Sequence, residues 1–367
     1  MSNIRYHSVE PTANKEKFGE FDSVDFEIST DRNIVRNSIR IEGKLKVNST
    51  STTRALQTEQ IHFNHQTGAH GLIDAISTQL GGQIIENIGQ SYPHWVHMAQ
   101  TGSKANEDYF SSDQICELKA SNISAVMAYA AGKSARTDQA ATFEDVDFSF
   151  KPLIAVNRAD NDIEMARVGG LMKITMNLNR NSNFLCGYGN TTAGNYEVRE
   201  LRVTYRTSDP ASVPATNMNS VLTYENILNS NFANLSTRVP AVVQGVSMSF
   251  RQTSLADDPK EDTLKQDKIP DFRSIQFLFN DSTNTYTQYE VDDLGAALQD
   301  YVDSLSKNGL SEVNTVNVMG RQSFGLGLDF GQSISLENNK LSTQIRSGTN
   351  SDNPYNMFMA FHSRISA

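Results

Sequence analysis

The sequence predicts an all-β fold with a few helical insertions, built as two antiparallel modules in tandem. Three observations carry this reading. Apolar and polar residues alternate in segments spread over nearly the whole chain, which is the period of strands with one wet face. Between Asn195 and Leu228 one such strand, with Leu201, Val203 and Tyr205 alternating against Glu200, Arg202, Thr204 and Arg206, runs into Ser208-Asp209-Pro210-Ala211-Ser212-Val213-Pro214. The two prolines there fix φ and remove ladder donors, so a sheet cannot continue through them. Finally, the order of strands, helical insertion and more strands occurs on both sides of that seam. Residues 208–218 are therefore expected to link a first module, 21–207, to a second, 219–367.

Composition bounds the function. The 367 residues suit two domains, each long enough to bury a core. Asp and Glu number 42 against 32 Lys and Arg, a formal charge of -10, so no basic excess exists to neutralise phosphates, and direct sequence-specific nucleic-acid binding is not expected. Cys116 and Cys186 are far apart and lack the paired spacing of a zinc site or disulfide scaffold, which reads as two buried thiols. The start, Met1 to His7, has no apolar signal core, and no run reaches the length of a membrane span, so synthesis in a cytosol-like compartment is expected.

Residues 1–20 are polar, carry Pro11 and Gly19, and read as an N-terminal arm without a core of its own. Val24, Phe26 and Ile28 alternate with Asp25, Glu27 and Ser29, and Ile39, Ile41, Leu45 and Val47 with Arg40, Glu42, Lys44 and Lys46, giving two strands. Asn48 to Thr53 reads as a loop, with a short strand at Ile61 and Phe63. The spacing of Ala69, Leu72, Ile73, Ile76 and Leu80 predicts a helix stopped by Gly81-Gly82, and Pro93 suits the first turn of a second helix carrying Trp95, Val96 and Ala99. A helical insertion over about 69–113 thus interrupts the first module. Strands return at Val146, Phe148 and Phe150, and at Met172, Ile174, Met176 and Leu178.

In the second module Asn219 or Ser220 is placed to cap a helix bearing Val221, Tyr224 and Leu228. Val242, Val246, Met248 and Phe250 then share one strand face, as do Ile275, Phe277 and Phe279, with the charged loop Ala256 to Lys268 between them. Leu294, Leu298, Tyr301 and Leu305 predict a helix over about 291–306, with Asp292 and Asp293 favouring its N-terminus. Phe324, Leu326, Leu328 and Phe330 alternate with Gly325, Gly327, Asp329 and Gly331, one face large and the other nearly bare. Glycines on that face imply close approach of another segment, or bulges. Leu341, Thr343 and Ile345, then Tyr355, Met357, Met359 and Phe361, give the last strands.

No pattern points to chemistry. His62, His65, His70, His94 and His97 lie close in sequence, but without nearby carboxylates or thiolates at regular spacing they read as packed or interfacial residues, so no metal, cofactor or catalytic residue is assigned. Asp329-Phe330-Gly331 imitates a kinase element without its companion motifs, and Gly325-x-Gly327 lacks the rest of a dinucleotide fingerprint. Sequons begin at Asn48, Asn122, Asn190, Asn234 and Asn280, which an asparagine- and serine-rich chain produces by composition. The acidic run Asp257 to Asp267 reads as a solvated loop.

Four segments together resemble the double jelly-roll major capsid proteins of tailless icosahedral viruses, in particular the compact virophage- and polinton-like type. They are Gly81-Gly82-Gln83-Ile84-Ile85-Glu86 leading to the Trp95 helix, Phe148 to Val156 with Lys151-Pro152-Leu153, Tyr196 to Tyr205, and the pair Phe324 to Gly331 with Pro354-Tyr355-Asn356 through Phe361-His362-Ser363. The resemblance implies two tandem antiparallel eight-stranded jelly rolls, homotrimers of pseudo-hexagonal outline tiling a virion shell, penton and minor capsid proteins as further partners, and an internal membrane approached by the N-terminal arm. Duplication suits that role, because two similar barrels per chain give a threefold trimer six near-equivalent lobes joined by heterologous contacts. From other classes, a carbohydrate- or receptor-binding β-sandwich would use Trp95 or Tyr188 to stack on sugars, and a β-rich hydrolase would need a carboxylate pair assembled by the fold.

Overall fold

Alternation of the kind seen from Val24 to Ile28 becomes strand pairing in a computed structural model of the chain. The structure describes residues 3–48, 61–62, 67–89, 91–103, 118, 146–187, 195–228, 232–238, 242–255, 272–279, 285–290, 294–307, 325–335, 340–347 and 354–366. The first half contributes β1 (Arg5–Val9), β2 (Lys17–Phe18), β3 (Ser23–Ser29), β4 (Asn33–Ile34), β5 (Arg40–Asn48), β6 (Ile61–His62), β7 (Ile73–Leu80), β8 (Gln83–Ile88), helix α1 (Tyr92–Ser103), β9 (Val146–Phe150), β10 (Leu171–Leu178), the single turn α2 (Asn181–Phe184), β11 (Cys186–Gly187) and β12 (Asn195–Ser208). The second half contributes β13 (Asn217–Leu228), β14 (Phe232–Arg238), β15 (Val242–Gln252), β16 (Phe272–Phe279), β17 (Thr285–Glu290), helix α3 (Leu294–Ser306), β18 (Leu326–Ser335), β19 (Lys340–Ser347) and β20 (Tyr355–Ser366).

The pairing order shows the duplication directly. In the first half one row runs β1-β12-β5-β9, with β2 and β4 also on β12, and a second row runs β3-β10-β7-β8. In the second half the rows run β13-β20-β15-β18 and β14-β19-β16-β17. Taken rank by rank these are the same two rows: the last strand of each half lies second in one row, and the next-to-last strand of the motif lies second in the other. Two such antiparallel rows folded face to face make a jelly roll. Each roll closes on its own buried cluster, the first holding Phe26, Ile28, Ile41, Phe150, Ile174 and Val203, the second holding Val246, Phe250, Ile275, Phe277, Leu328 and Phe361. The rolls are fused where β8 meets β13 in parallel at Asn87 and Leu222, so one row of each becomes a continuous eight-stranded sheet.

Several local expectations change, each for an identifiable reason. Residues 73–80 form strand β7, preceded by a 3-10 turn at Gly68–Leu72, in place of the expected helix. The register slips between Asn177 and Leu178 where β10 pairs with β7, which brings Ile73 and Ile76 inward at a spacing of three, and buried Thr78 hides the rest of the alternation. Gly81 and Gly82, at φ +55 and +84, make the two-residue hairpin turn between β7 and β8 and cap no helix. The helix expected from Asn219 is strand β13, paired with β20 along its whole length and with β8 on its other side. Its two faces meet different cores, Val221 packing in the cluster of the first roll and Leu222 and Tyr224 against that of the second, so apolar residues stand on both faces and the period of two is lost. Among the described residues the helical insertion of the first module is the 12-residue α1.

The N-terminal arm is likewise built into the sheet. Residues 5–9 pair with Val203 to Thr207, and Phe18, on β2, is buried at 3 % exposure. Its polar composition hid this because β1 is largely exposed and is held by the ladder to β12, with His7 stacked on Tyr205 and Val9 against the core. Strand β12 reaches Ser208 and β13 starts at Asn217, leaving 209–216 as the connection where 208–218 was expected. Inside β12, Glu200 adopts φ +49 and the register shifts between Arg199 and Arg202, a bulge that moves the inward set from Tyr196 and Val198 to Leu201, Val203 and Tyr205.

Candidate assembly site: the seam between the two rolls

Among the described residues, helices α1 and α3 lie between the rolls. Pro93 occupies the first turn of α1, where its missing N–H costs no helical bond, and residues 91–99 are all buried because α1 is wedged between β7, β20 and α3. Helix α3 turns Leu298, Tyr301, Val302 and Leu305 into the cluster of the first roll although it belongs to the second. The seam is therefore continuous with a core.

Its polar centre is the ion pair of Glu86, on β8, with Arg158, whose side chains are 0 % and 2 % exposed. Glu86 also accepts the backbone N–H groups of Ala155 at 2.6 Å and Val221 at 2.9 Å, so one carboxylate ties the first roll to β13 of the second. Burial pushes the Glu86 carboxyl up to about 7, against the opposing pull of Arg158 and the two amides, and burial lowers the Arg158 guanidinium against the pull of Glu86. Beside this pair the Ser220 hydroxyl donates to the Ile85 carbonyl at 2.8 Å and the Thr223 hydroxyl to the Gly89 carbonyl at 3.1 Å.

Trp95, fully buried, joins this centre to the second roll: the Arg158 guanidinium lies 5.6 Å from its ring and the His362 ring 5.3 Å from it. His362 Nε2 lies 2.7 Å from the Ser247 hydroxyl, which lies 2.8 Å from the Ser304 hydroxyl of α3. Burial, with Arg158 nearby, pulls the His362 imidazole down to about 3, so it is neutral here. A second bridge places His94 of α1 flat on Phe358 of β20, ring centroids 3.6 Å apart, with the Arg251 guanidinium 5.2 Å from the same Phe358 ring. Burial, then Arg251 and His97, hold His94 well below the usual imidazole range.

The bare face of β18 finds its purpose here. A Cβ added at Gly327 would stand 2.5 Å from Ser304 Oγ and 2.6 Å from Tyr301 Cα, both on α3, and one at Gly325 only 1.6 Å from the Met248 carbonyl oxygen. Glycine lets α3 lie directly on the sheet, the close approach expected from sequence.

The residues singled out in the sequence are thus dispersed among structural duties. His70 packs against Phe150 at 4.5 Å with its Nδ1 2.9 Å from the Tyr92 hydroxyl, while His94 and His97 are buried along α1. Among the described residues no three His, Cys, Asp or Glu side chains are grouped to hold a metal ion, and no helix is long and apolar enough to cross a membrane. Trp95 is inside the seam, so it offers no platform for a sugar, contrary to the sugar-stacking role suggested for it. Asp329 accepts the Gly331 N–H at 2.8 Å and pairs with Lys307 at 3.3 Å. His62 and Cys186 face one another in the register of β6 and β11, and Asn234 lies opposite Gln344. His65, Cys116, Tyr188, Asn122, Asn190, Asn280 and the run Asp257 to Asp267 lie outside the described residues.

Sequence reading missed Glu86, Arg158, Ser247 and His362. The Ser247–His362 contact has the geometry of a nucleophile and its base, yet the two residues are 0 % and 1 % exposed beneath α1 and α3, where no substrate can reach.

No family model and no curated protein matches the sequence. Solved structures match its fold over the whole chain. The Faustovirus major capsid protein aligns with a TM-score of 0.61 at 10% identity, covering 100% of this chain and 90% of that one. The PBCV-1 VP54 structure, fitted into a reconstruction of the virophage Sputnik, aligns at 0.57 and 10% identity over 100% and 95% of the two chains. The mavirus major capsid protein aligns at 0.52 and 7% identity over 99% and 90%. The chain has the double jelly-roll fold of these proteins.

Proposed function

We propose that this chain is a major capsid protein, that three copies form a pseudo-hexagonal capsomer, and that capsomers tile the shell of an icosahedral virion. The observation that carries the reading is the duplication itself: two rolls of identical strand order, fused edge to edge and locked by a buried helix-filled seam. A rigid pair of near-equivalent lobes is what a threefold particle needs in order to present six corners to a hexagonal lattice. The seam fits this use because it fixes the angle between lobes. Contacts spanning it, the Val221 N–H on the Glu86 carboxylate and His94 on Phe358, penalise any rotation that would part them.

The solved structures that share this fold over 90% or more of their own length include capsid proteins of several viruses, which supports the reading at the level of architecture. Penton and minor capsid proteins would complete such a shell, and a membrane beneath it would meet whichever end of the lobes faces inward. The test is the mass of the purified chain by light scattering across a concentration series. Three chains per particle is the expected result, and a monomer at every concentration would overturn the proposal.

A further inference from the structure

We infer that neighbouring copies are joined by the same strand contact that joins the two rolls inside one copy, with β17 of one chain laid in parallel against β1 of the next. The inference rests on the self-assembly reading above and specifies the surface that performs it.

The internal joint supplies the pattern. There, the last strand of the row β3-β10-β7-β8 pairs with the first strand of the row β13-β20-β15-β18, in parallel, at Asn87 and Leu222. The strands in the same ranks of the other two rows are β17, which ends the row β14-β19-β16-β17, and β1, which begins the row β1-β12-β5-β9. Within the chain, among the described residues, β17 pairs only with β16 and β1 only with β12, so each presents an unused backbone edge. The molecule thus carries both halves of a joint it has already made once, at opposite ends of its strand order. An open edge supplies unpaired N–H and C=O groups that another strand satisfies by addition.

The side chains of the arm agree. Tyr6, on β1, is 79 % exposed and Ile4, just before it, 47 %, two large apolar groups at an edge where protected strands usually carry charge or proline. The occupant is a second copy because only a copy brings β17 in the rank that β8 holds at the internal joint. The contact is heterologous, so three copies related by a threefold axis close a ring and leave no free edge of this kind.

The experiment places cysteine at Tyr6 (Tyr6→Cys) together with one cysteine at a time along β17 (Thr285→Cys, Tyr286→Cys, Thr287→Cys, Gln288→Cys, Tyr289→Cys, Glu290→Cys), in the full chain with Cys116→Ser and Cys186→Ser. After mild oxidation, denaturing gels and light scattering are read on the same samples. Expected are disulfide-linked ladders ending at three chains for alternate β17 positions, since successive residues face opposite sides. Particles of three chains that fail to cross-link at all six positions would overturn this joint while leaving the capsomer intact. Chains that remain single would overturn both.

Discussion

The corresponding outer walls of the two rolls have opposite chemistry. On the first roll the wall of β12, β5 and β9 is wet: Arg202 pairs with Glu42 at 3.0 Å, Lys44 with Glu200 at 2.6 Å, and Arg40 donates to Ser149 at 2.8 Å. On the second, the wall of β20, β15 and β18 is dry. It presents Ser247, Ser249, Ala360, His362, Gly325 and Gly327, all buried, with Ser247 and Gly327 against Ser304 of α3 and His362 against Trp95 of α1. Identical strand order has therefore been given two surfaces, one that meets solvent or a neighbour and one consumed inside the chain. The lesson is that fold duplication sets where contacts can form, while side-chain size and charge decide which of them is permanent.

Breaking the dry wall should cost most. Glu86→Ala removes the carboxylate from Arg158 and two backbone amides inside the seam, and an expected loss of about 3–5 kcal/mol in urea unfolding follows from breaking a buried pair. Gly327→Leu pushes side-chain atoms into Tyr301 and Ser304 of α3 and should cost about 3 kcal/mol, read as a fall in the unfolding midpoint. A loss under about 0.5 kcal/mol for it would mean that α3 does not rest on β18.

The pH dependence sharpens the contrast, because the buried imidazoles belong to the seam. Unfolded, His362 titrates near 6.5, and folded, near 3, so between those values only the unfolded chain binds the proton and stability falls as pH drops. At about pH 5 this amounts to about 2 kcal/mol, and His94 acts in the same direction. Glu86, raised from 4.5 to about 7, acts oppositely, since in that window the folded chain holds a proton that the unfolded chain has lost. Comparing melting curves of the parent and His362→Gln between about pH 7 and about pH 5 isolates the imidazole: the acid loss should shrink by about 2 kcal/mol in the variant. The wet wall should show the smallest effect. Arg202→Ala, at a pair whose side chains are 52% and 22% exposed, is expected to stay within about 1 kcal/mol in the same urea assay.

How much of this was legible in the sequence depends on which faces each strand presents. Strands with one wet face, β3, β5, β9 and β10, were readable from alternation because their charged residues point to solvent. Strands β7 and β13 read as helices, the first through a register slip and the second because each of its faces packs on a different core, and either condition erases the period of two. Glycine at 325 and 327 correctly announced a close approach, since little else explains a bare strand face. The seam itself was hidden because Glu86, Arg158, Ser247 and His362 are far apart in sequence. Its faint signals were a carboxylate beside Ile84 and Ile85, and a strand, Val246 to Phe250, whose alternate positions are serine where a wet face would carry charge.

The most direct test of the capsomer account is microscopy of the purified chain in negative stain. The account predicts particles with threefold symmetry and a six-lobed outline, two lobes from each of three chains. A field of uniform two-lobed single chains, unchanged as concentration rises, would contradict it.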